Sequence, residues 1–255
     1  MPRPSRRAAH RTDRAGRLRA IRLAALGVPA LAAAALVTSA CTPSNADAGP
    51  QAPAFAVASP TPNPTSKWAN RLRIVTVGDS LMSGYGLDLG QAWPTLLADK
   101  THVTLTNLAC GGMGFVVSGD CGTPYSGLVP ALAALQPDIV IVQSSSNDFG
   151  EDPDDVRAGT LTTVQEMRNA VPHAVIVGLS TIWNDDADVP DEVESTSEDL
   201  QSAISDVDGT FIDVGQPLQG HPAWMQEDDV HPTPRGQQAI EETVHAKLSD
   251  AHILH

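Results

Sequence analysis

Basic residues become scarce once the first 41 residues of this chain are set aside. The remainder holds eight Lys and Arg against 29 Asp and Glu. That balance excludes a binder that tracks nucleic-acid phosphates, and it excludes electrostatic adhesion to anionic lipid. A long hydrophobic run is also missing. The longest apolar stretch, Leu23 to Val37, is short of the roughly 20 residues that a membrane-spanning helix needs. No internal repeat is present, which removes solenoids and propellers. Cysteine occurs only three times, as Cys41, Cys110 and Cys121.

The residues that are present begin with an export signal. Eight arginines between Arg3 and Arg22 form a basic segment, the alanine- and leucine-rich stretch comes next, and Thr38-Ser39-Ala40-Cys41 closes it. Residues 1–41 are therefore expected to be removed or processed. Ser39-Ala40-Cys41 resembles a bacterial lipobox, in which Cys41 becomes a lipidated N-terminus. Cleavage after Ala40, leaving Cys41 as a free thiol, is the alternative. Arg6-Arg7 offers a twin-arginine route, although Ala8, Ala9 and His10 after it fit that signal poorly. The protein is accordingly expected outside the cytoplasm, on an outward-facing lipid anchor or secreted. Residues 42–67 are rich in Pro, Ala, Ser and Thr without periodicity, the composition of an extended tether. Residues 68–255 are of one-domain size and long enough to bury a core.

Within that domain, strands and helices alternate. Leu72 to Val77 (L-R-I-V-T-V) is a short β-branched run that reads as a buried strand. Further strands are expected at Val103–Asn107, Ile139–Gln143, Ala174–Leu179 and Thr210–Val214. Helices are expected at Trp93–Lys100, Leu128–Leu135, Asp154–Asn169, Glu194–Val207 and Gly236–Leu248. This alternation implies a parallel sheet covered on both faces.

The chemistry-bearing residues fall just past the strands. Ser80, in Gly78-Asp79-Ser80-Leu81, stands two residues beyond the first strand, where open α/β sheets bind ligands. A serine becomes a nucleophile only if a base takes its proton. Near the other end stands Asp228-Asp229-Val230-His231-Pro232. An aspartate three residues before a histidine can orient the imidazole as that base, and Asp229 competes for the role on proximity alone. Asn107-Leu108-Ala109-Cys110-Gly111-Gly112 and Ser146-Asn147-Asp148, each after an apolar run, offer hydrogen-bond donors for an oxyanion. A Gly-Asp-Ser triplet alone is a weak signal. The order of the four blocks and their placement at strand ends carry the inference.

These four blocks resemble the SGNH, or GDSL, hydrolase superfamily over roughly Arg71 to Leu248. The resemblance implies an α/β, flavodoxin-like three-layer α/β/α sandwich with a mainly parallel five-stranded sheet. It implies an esterase in which Ser80 is the nucleophile, His231 the base and Asp228 its partner. The oxyanion donors it implies are the amides of Ser80 and Gly112, with Gly111 and Gly114 close by, and the side chain of Asn147. Asp79 would be a structural residue of the turn. One departure is plain: Ser145 stands where the family usually has glycine.

Several readings stay open. An alcohol in place of water would make the same triad an acyltransferase. A non-catalytic lipoprotein that binds carbohydrate or lipid is an alternative of another class. Export favours a Cys110–Cys121 disulfide that would fix the glycine-rich loop, against two buried thiols. Trp183 and Trp224 are candidates for substrate contact, with packing the plainer role for each. No cofactor or metal is expected, and the acids at Asp185, Asp186, Asp188, Asp191 and Glu192 read as a solvated loop leading into a helix. The substrate would be a small-molecule, lipid or acylated-carbohydrate ester. The only membrane contact would be a lipid on Cys41.

Overall fold

A computed structural model describes residues 71–254. The expected export signal, the tether, Cys41 and the domain's first residues lie outside the described residues. Five strands form one sheet: β1 (Arg73–Val77), β2 (Thr104–Asn107), β3 (Ile139–Gln143), β4 (Val175–Leu179) and β5 (Thr210–Ile212). Their order is β2-β1-β3-β4-β5, and every neighbouring pair is parallel.

The strand sequences show why the sheet is buried on both sides. All five residues of β3, Ile-Val-Ile-Val-Gln, are buried. Successive side chains point to opposite faces. Ile139 and Ile141 accordingly join one core with Ile74, Val177 and Leu179, while Val140 and Val142 join the other with Val75, Val77 and Ile176. Both cores are closed by helices. On the first face lie α2 (Trp93–Thr101) and α6 (Pro234–Asp250), which contribute Trp93, Leu97, Ile240 and Val244. On the second lie α3 (Val129–Leu135), α4 (Pro153–Ala170) and α5 (Asp191–Ser205), with Leu132, Val164, Met167 and Leu200. Each fully buried aliphatic side chain contributes about 1.5–3 kcal/mol. The flavodoxin-like three-layer sandwich implied by the resemblance is the fold observed.

Helix starts follow local capping chemistry. Asp152 caps α4 by accepting the Asp154 N–H at 2.9 Å, ahead of Pro153. Thr233 caps α6 ahead of Pro234. Some boundaries differ from expectation. Helix α5 begins at Asp191 and not at Glu194, because Pro190 stands at its N-cap and Asp191 and Glu192 occupy its first turn. Those two acids are thus helix residues facing the favourable end of the dipole. Strand β5 stops at Ile212. Asp213 then turns the chain, its carboxylate accepting the Gly215 N–H at 2.8 Å and the Ser180 hydroxyl at 3.1 Å. A short helix that the sequence pattern does not announce, α1 (Ser80–Ser83), comes directly after β1.

This strand order has its switch point between β1 and β3. From these two neighbours the chain departs to opposite sides of the sheet, and the divergence opens a crevice at their carboxyl ends. The residues after β1 and β3 are those of the Ser80 and Asn147 motifs.

Candidate active site

Ser80 is the first residue of α1. Asp79, its N-cap, accepts the Leu81 N–H through Oδ1 at 2.9 Å. Gly84 ends the helix in a left-handed conformation, and the Gly84 and Tyr85 amides both donate to the Ser80 carbonyl at 3.1 Å. The nucleophile candidate is therefore held on a single tight turn and is 6% exposed. Gln237, buried in α6, grips that turn from behind. Its Nε2 donates to the Leu81 carbonyl at 2.9 Å, and its Oε1 accepts the Trp93 N–H at 2.8 Å.

The strongest pairing in the predicted set is that of Asp228 with His231. The carboxylate Oδ2 lies 2.7 Å from His231 Nδ1, and Oδ1 accepts the His231 N–H at 2.9 Å and the Val230 N–H at 3.0 Å. The side-chain bond to His231, followed by its backbone N–H, lowers the Asp228 pKa to about 2. The carboxylate is thus ionised at neutral pH and directs the other ring nitrogen, Nε2, away from itself. Asp229, the rival on proximity, takes a left-handed backbone at φ 55° and presents its carbonyl to Asn184 Nδ2 at 3.1 Å.

Two contacts bring His231 to the Ser80 segment. The Tyr85 ring lies on the imidazole, with centroids 4.4 Å apart and planes 31° from parallel. Gln226 ties the same two segments. Its N–H donates to the His231 carbonyl at 2.7 Å, and its Nε2 donates to the carbonyls of Tyr85 at 2.8 Å and Pro232 at 3.0 Å. The structure does not join Ser80 Oγ to His231 by a hydrogen bond.

Asn147 sits in the 3₁₀ turn Ser146–Asp148 after β3. Its Nδ2 donates to the Met113 carbonyl and to Ser145 Oγ, each at 3.0 Å. A carbonyl can only accept, so these partners fix which end of the amide faces the glycine-rich loop. Ser145, fully buried, also accepts the Asn147 N–H at 3.1 Å, and its hydroxyl lies 2.6 Å from Asp79 Oδ2. Ser145, where the resemblance expects glycine, is extended and caps the turn that bears Asn147.

The glycine-rich loop carries Gly112 at φ 71°, a conformation that favours glycine. Gly114 needs the absence of a side chain, because a Cβ there would meet the Asp148 carboxylate. Asp148 accepts the N–H groups of Phe115, Val116 and Val117 at 2.6, 3.1 and 3.1 Å, so it shapes this loop. Cys110 and Cys121 are joined as a disulfide, with Cα atoms 6.3 Å apart, and close the loop around Gly112.

Burial dominates the electrostatics beneath the site. It raises the pKa of Asp79 against the opposing bonds from Ser145 and Leu81, and it raises that of Asp148 despite three N–H donors. Tyr125, fully buried, is pushed well above the usual phenol range by desolvation and then by the charges of Asp79 and Asp148.

The two tryptophans diverge. Trp183, on the loop after β4, stacks on Phe149 at 5.7 Å and lines a small cavity with Leu81, Ser146, Ile182, Asn184 and Val230. The Trp224 ring is instead engaged by His221, stacked at 3.6 Å, and by the Arg235 guanidinium at 4.6 Å. It does not line that cavity. Sequence reasoning missed Tyr85, Gln226 and Gln237, which no motif marks, and noted Ser145 only as the residue out of place in its block.

Comparison with known proteins bears on the family and the fold. The model of the GDSL-like lipase/acylhydrolase family matches residues 76–239. A GDSL lipase of Mycobacterium tuberculosis is 26% identical over 193 residues, spanning 69% of this chain and 81% of its own length. An arylesterase of Vibrio mimicus is 24% identical over 200 residues, spanning 69% of this chain and 88% of its own. Among solved structures, a psychrotrophic esterase from Pseudoalteromonas sp. shares the fold with a TM-score of 0.59 at 19% identity, covering 71% of this chain and 98% of that one.

Proposed function

The chain belongs to the GDSL-like lipase/acylhydrolase family and is a carboxylic ester hydrolase; we propose that it works through an acyl-enzyme on Ser80. The observation that carries this reading is the Asp228–His231 pair at 2.7 Å, linked through Tyr85 and Gln226 to the turn that bears Ser80. His231 Nε2 takes the Ser80 proton as Oγ attacks the ester carbonyl, then returns it to the departing alkoxide. Asp228 holds the imidazole tautomer and stabilises the imidazolium, without itself taking the proton. The Ser80 and Gly112 amides and Asn147 Nδ2 donate to the tetrahedral oxyanion, which in acyl transfer is usually the largest single contribution to rate. Asn147 Nδ2 then shares with the oxyanion a hydrogen that it gives Ser145 or Met113 in the free enzyme. Water, activated by the neutral His231, releases the acid.

The reading is tested with Ser80→Ala. The variant should fold as the parent does and lose hydrolysis of aryl esters, and a serine-reactive phosphonate should label the parent at Ser80 alone. Full activity in the variant, or labelling elsewhere, would remove the proposal. A competing alcohol in the same assay separates hydrolysis from acyl transfer.

The setting proposed is extracytoplasmic. The arginine-rich segment and Ser39-Ala40-Cys41 support export with a lipid on Cys41, and the Pro-rich residues 42–67 would hold the hydrolase away from the membrane.

A further inference from the structure

A cavity of roughly 30 Å³ lies between Leu81, Ser146, Ile182, Trp183, Asn184 and Val230. Three of these residues are chain neighbours of the proposed machinery. Leu81 is next after Ser80, Ser146 precedes Asn147, and Val230 precedes His231. Three segments far apart in sequence thus each turn one residue to the chemistry and its neighbour to the cavity. A larger hollow of about 700 Å³ lies between α5 and the end of β5, lined by Thr181, Asp191, Glu194, Phe211, Asp213 and others. It includes no member of the proposed machinery and none of its chain neighbours, so adjacency selects the smaller one.

We infer that this cavity is the acyl subsite and that it admits acyl groups of about two to four carbons, with Trp183 closing its far end. The inference rests on the acyl-enzyme reading of Ser80. Its floor is apolar and held in the core: Leu81 is 6% and Ile182 3% exposed. The far wall is braced. The Trp183 N–H donates to Gln216 Oε1 at 2.6 Å, Gln216 Nε2 donates to the Thr181 carbonyl at 3.0 Å, and the Trp183 ring stacks on Phe149. Asn184 Nδ2 bonds the Asp229 carbonyl at 3.1 Å, joining this wall to the loop of Asp228 and His231. A water needs about 10–15 Å³ by the same kind of measure, so the space holds two or three small groups beyond the carbonyl. An eight-carbon chain would need the wall to move, which would break the Asn184 bond or the ring stack. Val230, which lines the cavity, is about half exposed, so the cavity opens to solvent on that side.

Ordinarily each buried methylene improves binding about fourfold. A longer acyl chain should therefore be preferred unless space forbids it, and the chain-length profile decides. With the full exported chain, kcat/KM is measured on 4-nitrophenyl acetate, butyrate and octanoate, with Ser80→Ala as the blank. Acetate and butyrate should agree within about tenfold, and octanoate should fall about a hundredfold below them. Trp183→Leu should raise octanoate against acetate by about tenfold. Val230→Phe, at an exposed position that tolerates bulk, should lower butyrate against acetate by about tenfold. Octanoate cleaved as fast as acetate by the parent would overturn the inference and leave the esterase reading standing. So would an unchanged ratio in both variants. Absence of hydrolysis on every ester, or hydrolysis that survives in Ser80→Ala, would defeat the catalytic reading itself.

Discussion

Ser145 Oγ lies 2.6 Å from Asp79 Oδ2, across 66 residues of sequence, and both groups are buried. A hydroxyl has one proton to give, and the short contact with a carboxylate claims it. Its lone pairs then accept the backbone N–H and one side-chain N–H of Asn147. A single hydroxyl joins the cap of the Ser80 helix to the proposed oxyanion donor.

Removing that hydroxyl should be felt in both places. Ser145→Ala leaves a buried carboxylate short of a donor, a loss of about 1.5–3 kcal/mol for a hydrogen bond to a charged group. A denaturant midpoint reads it. Turnover should fall with KM little changed, and Ser145→Gly should behave like the alanine variant. Asn147→Ala, which deletes the donor itself, should cost about 10² to 10³ in kcat. A Ser145→Ala protein as stable and as fast as its parent would show the bond to be incidental.

The five strands, and the placement of Ser80 and Asn147 just past β1 and β3, were legible in the sequence, and β3 was placed to the residue, because continuous Ile and Val runs mark doubly covered strands. Helix α2 starts at Trp93 as expected, and the starts of α3 to α6 shifted by one to three residues, the most at α5, where Pro190 caps Asp191. The site's supports were not legible. The Ser145–Asp79 and Gln237–Leu81 bonds span 66 and 156 residues, and such a contact leaves no period in the chain. Trp183 and Trp224 looked alike in sequence. They parted only when neighbours distant in the chain, Phe149 for one and Arg235 for the other, came into place.

The pH dependence of the Asp228–His231 pair has a definite sign. The Asp228 pKa falls from 3.8 to about 2 on folding. The stability that this carboxylate contributes is therefore fully present above about pH 4 to 5 and lost as pH falls through about 2. The stability difference between the parent and Asp228→Asn should shrink as pH falls from about 4 to 2, read by thermal melts across that range. Subtracting the variant cancels Asp79 and Asp148, whose raised values act in the opposite direction. A difference that grows on acidification would contradict the pairing.

Linked peptides containing Cys110 and Cys121 should be found in exported protein mapped without reductant. Reduction should lower stability by about 2–4 kcal/mol and depress kcat, because the bridged loop presents the Gly112 amide. Two thiols open to alkylation in the native protein would refute the bridge.

Cys41 should carry the anchor. Two acyl chains hold a protein on a membrane where one does so only marginally. Salt washing should therefore leave the protein membrane-bound, and Cys41→Ala should release active enzyme into the medium. Mass spectrometry of the N-terminal peptide is decisive: an unmodified Cys41 from the native host would leave a plainly secreted esterase.

Gln237 ties the completion of the Ser80 turn to the last helix of the chain. The turn bearing Ser80 is made within the first third of the chain, yet the side chain that grips its Leu81 carbonyl arrives from the last helix. A contact of such sequence separation needs the long loop between its partners to close first. A chain still emerging during synthesis or crossing a membrane carries its nucleophile without the brace behind it. On the proposed catalytic reading, a chain cut before α6 should therefore hydrolyse no ester, although it keeps Ser80.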